Sequence, residues 1–240
     1  MDNIILHHLQ TTLLKMSIML VPALWAVTCH EVSHGFVADK LGDNTARSMG
    51  RLTLNPLKHL DILGTLMVFI IGFGWAKPVP VNFNNLRHPK RDMIWVAAAG
   101  PITNFCLATL SALLMRAILA SATGVSDGPL ATVIQPIVLM LAFSIYINVL
   151  LAIFNLIPVP PLDGGRVAVG LLPYRQAILY SRIEPFGIFI ILALIFLPDM
   201  LHLPSIFDYV ISPVLNAVVH LVAGQQTRLV DEVIQLLLKL

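Results

Sequence analysis

The chain has 240 residues, of which 57% are hydrophobic and only 12% are charged, and its mean hydropathy is +0.84. A soluble domain carries roughly twice that share of charged residues, so the composition excludes an ordinary soluble protein and indicates a polytopic membrane protein. The net charge of +2 gives no reason to expect nucleic acid as a partner. The expected surroundings are the lipid bilayer, and the basic residues are interpreted as topology signals.

The first apolar span covers residues 13–37 and carries an HExxH motif, His30-Glu31-Val-Ser-His34. On a helix, residues four apart share a face, so both imidazoles can reach one metal ion. Glu31 lies about 100° round the helix from His30, where its carboxylate can reach a metal-bound water without ligating the metal. Ionisable groups inside an apolar span are costly unless they coordinate something, which favours a metal site over a pair of core histidines.

The segments that follow predict a departure from simple helical spans. Residues 48–56 predict a short strand that ends at an Asn-Pro pair. The apolar run 62–75 has about 14 residues, below the roughly 20 that a spanning helix needs, so we expect it to dip into the membrane and return. The proline-containing stretch 77–82 is expected to be extended and leads into a basic loop.

Further apolar stretches predict the remaining spans, at 93–119, 131–157, about 185–197 and 206–222, and residues 230–240 predict a short amphipathic helix. The predicted fold is therefore an all-α polytopic membrane protein with about five to six transmembrane helices and a small re-entrant β segment near the active site. The predicted domains are a catalytic membrane core at 1–170, C-terminal transmembrane helices at 171–223 and a short cytoplasmic amphipathic tail at 224–240.

The distribution of lysine and arginine orients these spans. The turn at 120–130 contains neither residue and is expected outside, whereas the loops at 87–91 and 166–182 contain several and are expected in the cytoplasm. This orientation brings Asp163 to the same side as His34. The sequence therefore predicts a multi-pass protein of the cell membrane with its active site near the cytoplasmic face.

A zinc site in a hydrolase needs a third protein ligand, for which a histidine or a carboxylate is suitable. Asp163 is the best candidate, because it follows a helix that prolines interrupt and because the predicted topology returns it to the depth of His34. The alternative is that Asp163 caps the next segment or shapes an Asp-Gly turn. Its combination with the HExxH motif on another helix favours the metal ligand.

Five stretches, taken in this order, resemble one family. They are His30-Glu31-Val-Ser-His34, Gly50-Arg-Leu-Thr-Leu-Asn55-Pro56, Ala76-Lys-Pro-Val-Pro-Val-Asn82, Gly100-Pro101-Ile-Thr-Asn104 and Phe154-Asn155-Leu-Ile-Pro158-Val-Pro160-Pro-Leu-Asp163-Gly164-Gly165. Over residues 15–170 the chain resembles the site-2 protease family of intramembrane zinc metalloproteases, in its short form without a PDZ domain. One position departs from the family pattern: Ile62 stands where proline is usual, which concerns the local turn.

The resemblance implies a zinc metalloendopeptidase that hydrolyses peptide bonds within or near transmembrane segments of membrane proteins. His30, His34 and Asp163 would bind one Zn²⁺ per chain, and Glu31 would act as the general base toward a zinc-activated water. Asn155 would donate to the developing oxyanion or steady the bound peptide. The alternative for Asn155 is an interhelical hydrogen bond, the usual role of asparagine in a span.

The expected partner is a substrate with a transmembrane segment, which must unwind before its peptide bonds can be hydrolysed. A segment with free backbone groups can pair with the unwound peptide. The candidate residues for this contact are Gly50, Arg51, Leu52, Thr53 and Leu54, with residues 77–82 as a second choice. Interhelical hydrogen bonding is the favoured interpretation for two other asparagines in the spans, Asn104 and Asn148.

Two functions of a different class remain open, a catalytically inactive membrane scaffold and a metal-binding or transport protein that uses the same ligands. Transport favours a polar path through several spans, whereas the interior charges of this chain gather at one level. Inactive relatives usually lose Glu31 or a histidine, and this chain keeps them. The effect of replacing Glu31 with glutamine separates these functions.

Overall fold

The computed structural model of the chain describes residues 2–71, 74–122, 128–205 and 207–238. These residues form ten α-helices, connected by turns and irregular segments. The helices are α1 (Asp2–Lys40), α2 (Thr45–Ser48), α3 (Ile62–Ile71), α4 (Pro89–Ser121), α5 (Pro129–Asn155), α6 (Asp163–Leu171), α7 (Tyr174–Ser181), α8 (Gly187–Met200), α9 (Ser212–Ala223) and α10 (Thr227–Leu238). A π-helical turn at Phe207–Ile211 leads into α9.

Five helical stretches are long and apolar enough to cross a membrane, and a helix is the form in which such a stretch pairs all its backbone groups in lipid. They are Thr12–Lys40, Pro89–Ser121, Pro129–Asn155, Tyr174–Pro198 and Phe207–Leu237. Each overlaps a predicted span. The prediction of an all-α, multi-pass membrane protein is therefore confirmed, and the count among the described residues lies at the lower end of the predicted five to six.

The prediction of a re-entrant β segment is wrong. The described residues contain no strand: residues 51–55 are irregular, and a 3-10 turn at Pro56–Lys58 follows them. Strand-like pairing in the described part of the chain is limited to one isolated antiparallel bridge between Leu60 and Ala76.

The physical reason lies in how the backbone groups of the proline-containing stretch are satisfied. Pro78 and Pro80 have no N–H to donate to a ladder. The carbonyl oxygens of Lys77 and Pro78 accept hydrogen bonds from Nη2 of Arg51, at 3.0 and 3.3 Å. Side chains therefore take the place of a partner strand.

The residues that flank the short apolar run 62–75 lie next to each other. Helix α3 has 10 residues and is about 15 Å long at 1.5 Å per residue, about half the thickness of the hydrocarbon core. Beyond it, Ala76 pairs with Leu60, and the N–H of Lys77 donates to the carbonyl of His59 at 2.8 Å. The two ends of the run are thus adjacent, as a segment that dips and returns requires.

The chain divides into two compact units, one formed by Met1–Ala26, Phe105–Leu150 and Asn216–Leu240 and the other by Val27–Asn104 and Leu151–Leu215. The second unit contains all the residues that the sequence nominates for chemistry.

Within the first unit, hydroxyl groups connect α4 to α5. The Oγ atoms of Ser111 and Ser144 are 2.9 Å apart, and Nδ2 of Asn148 donates to the backbone carbonyl of Ser144 at 2.9 Å. Asn148 thus contributes to the contact between α4 and α5 indirectly, through its hydrogen bond to Ser144. Hydrogen-bonded polar pairs of this kind hold helices together where lipid offers no hydrophobic driving force.

Arg116 connects the last turns of α4 to the end of α9. Its Nη2 donates to the carbonyl oxygens of Val222 at 2.8 Å and Ala223 at 3.0 Å, and its Nε donates to the side chain of Gln226 at 3.2 Å. These are terminal carbonyls that the helix itself leaves unpaired. The start of the predicted tail therefore lies at the end of α4 that leads to residues 120–130. The sequence analysis expects the turn at 120–130 outside and the tail at 224–240 in the cytoplasm. Because both lie at the same end of α4, these two predictions cannot both hold.

A buried carboxylate joins the loop after α1 to the residues that precede α4. Asp43 is 0% exposed and accepts hydrogen bonds from the N–H and hydroxyl of Thr45, from the N–H of Asn82 at 2.7 Å and from the amide of Asn85 at 2.9 Å. Burial raises the pKa of Asp43, but these donors together outweigh burial, so the pKa lies below its ordinary value. The carboxylate form is therefore the form that stabilises this junction.

We expect Asp43→Asn to lower the free energy of unfolding at about pH 7 by about 1–3 kcal/mol, because donors that face a carboxylate would lose their charged acceptor. The folded-state pKa is depressed, so the stabilisation is present above the ordinary aspartate value and is lost as the pH falls through the folded pKa. The measurement is thermal unfolding in detergent, with a chelator present so that metal loss is common to both proteins. The difference between wild type and variant should shrink between about pH 7 and about pH 3. A difference that is independent of pH would contradict this account.

Candidate metal centre

Helix α1 presents the two histidines of the HExxH motif on one face. Their rings meet edge to face, with centroids 4.7 Å apart and an interplanar angle of 83°. His30 is buried, and His34 is partly buried. The predicted arrangement of two imidazoles one helical turn apart is thus present.

Asp163 comes to the same place from the start of α6. Its Oδ2 lies 3.1 Å from Nε2 of His30 and 3.4 Å from Nε2 of His34. The ligand atoms of the three residues all lie within 4.8 Å of one another. The structure therefore brings together the three ligands that the sequence predicts, and their spacing suits one metal ion.

Two glycines let the backbone before α6 fold tightly enough to place Asp163. A Cβ on Gly164 would lie 2.2 Å from the carbonyl oxygen of Leu156, and one on Gly165 would lie 2.3 Å from the backbone nitrogen of Pro160. Any larger residue at these positions would push the turn apart. Leu162 is the N-cap of α6 and makes no side-chain cap, so the alternative interpretation of Asp163 as a capping residue does not describe this helix.

Each histidine is oriented by an acceptor on α4. Nδ1 of His30 is 2.5 Å from Oδ1 of Asn104, and Nδ1 of His34 is 2.7 Å from the backbone carbonyl of Val96. An oxygen acceptor at Nδ1 holds the proton there, so Nε2 of each ring turns a lone pair toward Asp163. Asn104 does make an interhelical bond, as the sequence predicts, but its partner is a metal ligand, which sequence reasoning missed.

Gly100 makes room for the same two nitrogens. A Cβ at this position would lie 2.5 Å from Nε2 of His30 and 2.6 Å from Nε2 of His34. The GPxxN sequence on α4 thus has two roles at the site: its glycine leaves space beside the ligand atoms, and its asparagine orients one of the rings.

The donor set fits Zn²⁺. Oδ2 of Asp163 is buried and accepts no hydrogen bond from any described residue, and a buried carboxylate oxygen without a partner is costly. With Nδ1 of both rings protonated, neither Nε2 has a proton to offer it. A cation among the three ligand atoms removes this cost. Two imidazole nitrogens and one carboxylate are a catalytic zinc set, in which the fourth position stays available.

Glu31 is held apart from this group. Its Oε2 accepts a hydrogen bond from the backbone N–H of Val79 at 2.8 Å, and the carboxylate is partly buried. The fixed carboxylate on the helix of the two histidines agrees with the expected position of a base that does not ligate the metal.

The other predicted residues lie as follows. Nδ2 of Asn155 donates to the carbonyl of Leu151, in its own helix, at 3.0 Å, and its oxyanion role stays a prediction. Residues 50–54 form an irregular segment whose Leu52 side chain lies beside Gly35, one residue after the HExxH motif. Their role in substrate binding also stays a prediction.

We expect Asn104→Leu to weaken zinc binding about 10-fold to 100-fold, the usual effect of removing an outer partner of a ligating histidine. Asn104→Asp keeps an oxygen acceptor for Nδ1 of His30 and should retain most of the affinity. The measurement is zinc retained during competition with a chelator. Asn148→Leu is the matched control, a buried asparagine of α5 that bonds Ser144. Equal affinity in Asn104→Leu and wild type would contradict the orienting role.

The chain is similar in sequence to known proteins. The sequence profile of peptidase family M50 matches residues 18–198. The Bacillus subtilis (strain 168) protein named "Putative zinc metalloprotease YwhC" is 37% identical over 202 residues, which are 84% of this chain and 87% of that protein. The Mycolicibacterium smegmatis protein named "Putative zinc metalloprotease Rip2" is 30% identical over 190 residues, which are 76% of this chain and 68% of that protein.

No solved structure matches the chain. The family profile covers most of the sequence and both relatives are named as zinc metalloproteases, and the His-His-Asp group is placed to hold one metal ion. The chain therefore belongs to peptidase family M50, the site-2 protease family, and its metal is zinc.

Proposed function

We propose that the chain is an intramembrane endopeptidase that hydrolyses peptide bonds within or near the transmembrane segments of membrane proteins, with Glu31 as its general base. The observation that carries the proposal is the position of the ligand group. His30 and His34 belong to a helix that is long and apolar enough to cross a membrane, and Asp163 faces both of them. A hydrolytic site on such a helix is suited to substrates that are themselves in the bilayer.

His30, His34 and Asp163 would hold the metal, and a zinc ion bound there would supply Lewis-acid chemistry for water activation and for polarisation of the scissile carbonyl. Asn104 and the carbonyl of Val96 keep both rings in the tautomer that this binding needs.

Glu31 carries the proton transfers. The bond from the N–H of Val79 fixes Oε2 and leaves Oε1 as the oxygen that takes a proton from the attacking water. The same carboxyl then gives that proton to the leaving amine, as general acid–base catalysis of amide hydrolysis requires. Because the bond to Val79 comes from the backbone, the carboxylate keeps its position whatever side chains the substrate brings.

We assign substrate binding to the segment 50–54, next to α1, through the backbone groups of Leu52 and Leu54. The backbone groups of Leu52 and Leu54 make no hydrogen bond with other described residues, whereas the N–H of Arg51 and the carbonyl of Thr53 are occupied by Ala46 and His59. An unwound peptide has the complementary free groups, so pairing at Leu52 and Leu54 would satisfy both chains.

We place the protein in the cell membrane with its site near the cytoplasmic face. The support is the positive-inside rule: residues 87–91, at the start of α4, and residues 166–182, in α6, α7 and the turn between them, carry several basic residues. The turn between α4 and α5 carries none. Asp163 directly precedes the second basic segment.

We expect Glu31→Gln to lower turnover about 10²-fold to 10⁴-fold, the contribution of a positioned general base, while the zinc content stays at the wild-type level. The assay follows cleavage of a tagged test protein whose single apolar span contains an Asn-Pro pair. Glu184→Gln is the matched control, because it makes the same change at an exposed carboxylate that faces Arg166. Undiminished cleavage by Glu31→Gln would exclude Glu31 as the base, and loss of its zinc would make it a ligand instead.

We expect Leu52→Pro to impair cleavage of the same test protein without changing the zinc content, because proline removes the backbone N–H proposed to pair with the substrate. Leu52→Ala keeps that N–H and removes most of the side chain, so it should cleave at nearly the wild-type rate. The two variants are compared by initial rate at equal zinc content. Equal rates in Leu52→Pro and wild type would remove residues 50–54 from the substrate site.

A further inference from the structure

We propose that Arg51 is a positioning residue for Glu31, acting through the peptide group that joins Pro78 to Val79. The importance of this contact for hydrolysis rests on the proposed role of Glu31 as the base. The contact itself is a property of the protein alone and can be measured without a substrate.

One peptide group lies between the two charged side chains. Its N–H, from Val79, donates to Oε2 of Glu31 at 2.8 Å. Its carbonyl oxygen, from Pro78, accepts from Nη2 of Arg51 at 3.3 Å. The same Nη2 donates to the carbonyl of Lys77 at 3.0 Å. Arg51 and Glu31 thus hold opposite ends of the same amide.

The charges match the polarity of that amide. A peptide group is a dipole with its negative end at oxygen and its positive end at N–H. A guanidinium at the oxygen and a carboxylate at the N–H both favour the same orientation, and hydrogen bonds in a chain polarise one another. Arg51 therefore strengthens the bond that holds Glu31, although the two side chains make no ion pair with each other.

Within residues 77–80, Val79 has the one backbone N–H that is available to Glu31. Pro78 and Pro80 have no N–H, and the N–H of Lys77 is occupied by the carbonyl of His59 at 2.8 Å. Prolines on both sides also restrict the backbone, which keeps the Val79 N–H in a defined direction. The Pro-Val-Pro sequence thus presents one backbone N–H donor to α1.

Gly35 brings this donor within reach of Glu31. The two residues are four apart on α1 and share a face. A Cβ on Gly35 would lie 2.7 Å from Cγ1 of Val79, so only glycine lets the valine lie against the helix one turn beyond the carboxylate. Val79 is 7% exposed, which shields its bond to Glu31 from competition by solvent.

Arg51 differs from the nearby Arg47 in the partners of its guanidinium group. Arg47 pairs with Asp39, with Nη2 2.5 Å from Oδ2. Arg51 makes no ion pair with any described carboxylate, and its Nε is buried without a hydrogen-bond partner among the described residues. Its charge is directed to the carbonyls of Lys77 and Pro78, where its effect reaches Glu31.

Selective isotope labelling observes this amide directly. The chain has four Pro-Val pairs, so protein with ¹³C-carbonyl proline and ¹⁵N-valine gives linked amide signals only from Val79, Val81, Val159 and Val214. Hydrogen exchange of these amides is compared in wild type, Arg51→Gln, Arg51→Lys and the control Arg47→Gln, with the Val79 signal assigned from Val79→Ile.

We expect Arg51→Gln to speed exchange of the Val79 amide about tenfold, the factor that corresponds to the loss of roughly one net hydrogen bond. Arg51→Lys, which keeps the charge, should show a smaller effect, and Arg47→Gln should show none. Unchanged Val79 exchange in Arg51→Gln overturns the proposal. Equal acceleration at all four valines also overturns it, because the substitution would then act on the whole fold.

Kinetics test the consequence for the reaction. With the tagged single-span test protein, Arg51→Gln should lower kcat about tenfold at unchanged KM and zinc content. A raised KM at unchanged kcat would make Arg51 a substrate contact and overturn the positioning role, as would an unchanged kcat despite faster Val79 exchange. If wild type cleaves no such protein, the proposed function fails, whereas the exchange result still decides whether Arg51 holds the amide.

Discussion

The structure depends on one interaction, the placement of a buried carboxylate oxygen of Asp163 between the Nε2 atoms of His30 and His34. No described donor satisfies that oxygen, so a cation between the three groups is what makes the arrangement favourable in so apolar a chain. The glycines around the site serve this placement. Gly164 and Gly165 let the turn before α6 close, and Gly100 leaves space beside both imidazoles.

The site is built as two half-sites with separate supports. The metal half uses α4, whose Asn104 and Val96 orient the histidines through Nδ1. The half that we propose for proton transfer uses the irregular chain around Val79, whose N–H holds Glu31. Glu31 lies between the histidines in sequence but is supported from a different segment, so the ligands and the proposed base can be perturbed independently by mutation. This separation is what allows metal content and turnover to be measured as distinct outcomes.

The parts of this account that the sequence predicts are those that depend on spacing and composition. Hydropathy locates the spans, the i, i+4 spacing pairs the histidines, and ligand chemistry selects Asp163. The strand predicted at 48–56 is wrong because side chains replace the backbone hydrogen bonds of a ladder. The Arg51 side chain bonds the carbonyls of Lys77 and Pro78, and the His59 side chain bonds the carbonyl of Thr53. The two hydrogen bonds that orient the histidines could not be predicted from residue types. The acceptor at Val96 is a backbone oxygen, and an asparagine in a span gives no sign of which polar group it meets.

The central claim, that His30, His34 and Asp163 together hold one zinc, is tested most directly by the metal content of detergent-purified protein. Wild type should contain about one zinc per chain, and Asp163→Ala and the His30→Ala/His34→Ala double variant should both lose it. Asp43→Asn, which changes a buried carboxylate outside the group, should keep its zinc. Zinc retained at the wild-type level in Asp163→Ala would contradict the account and place the third ligand elsewhere.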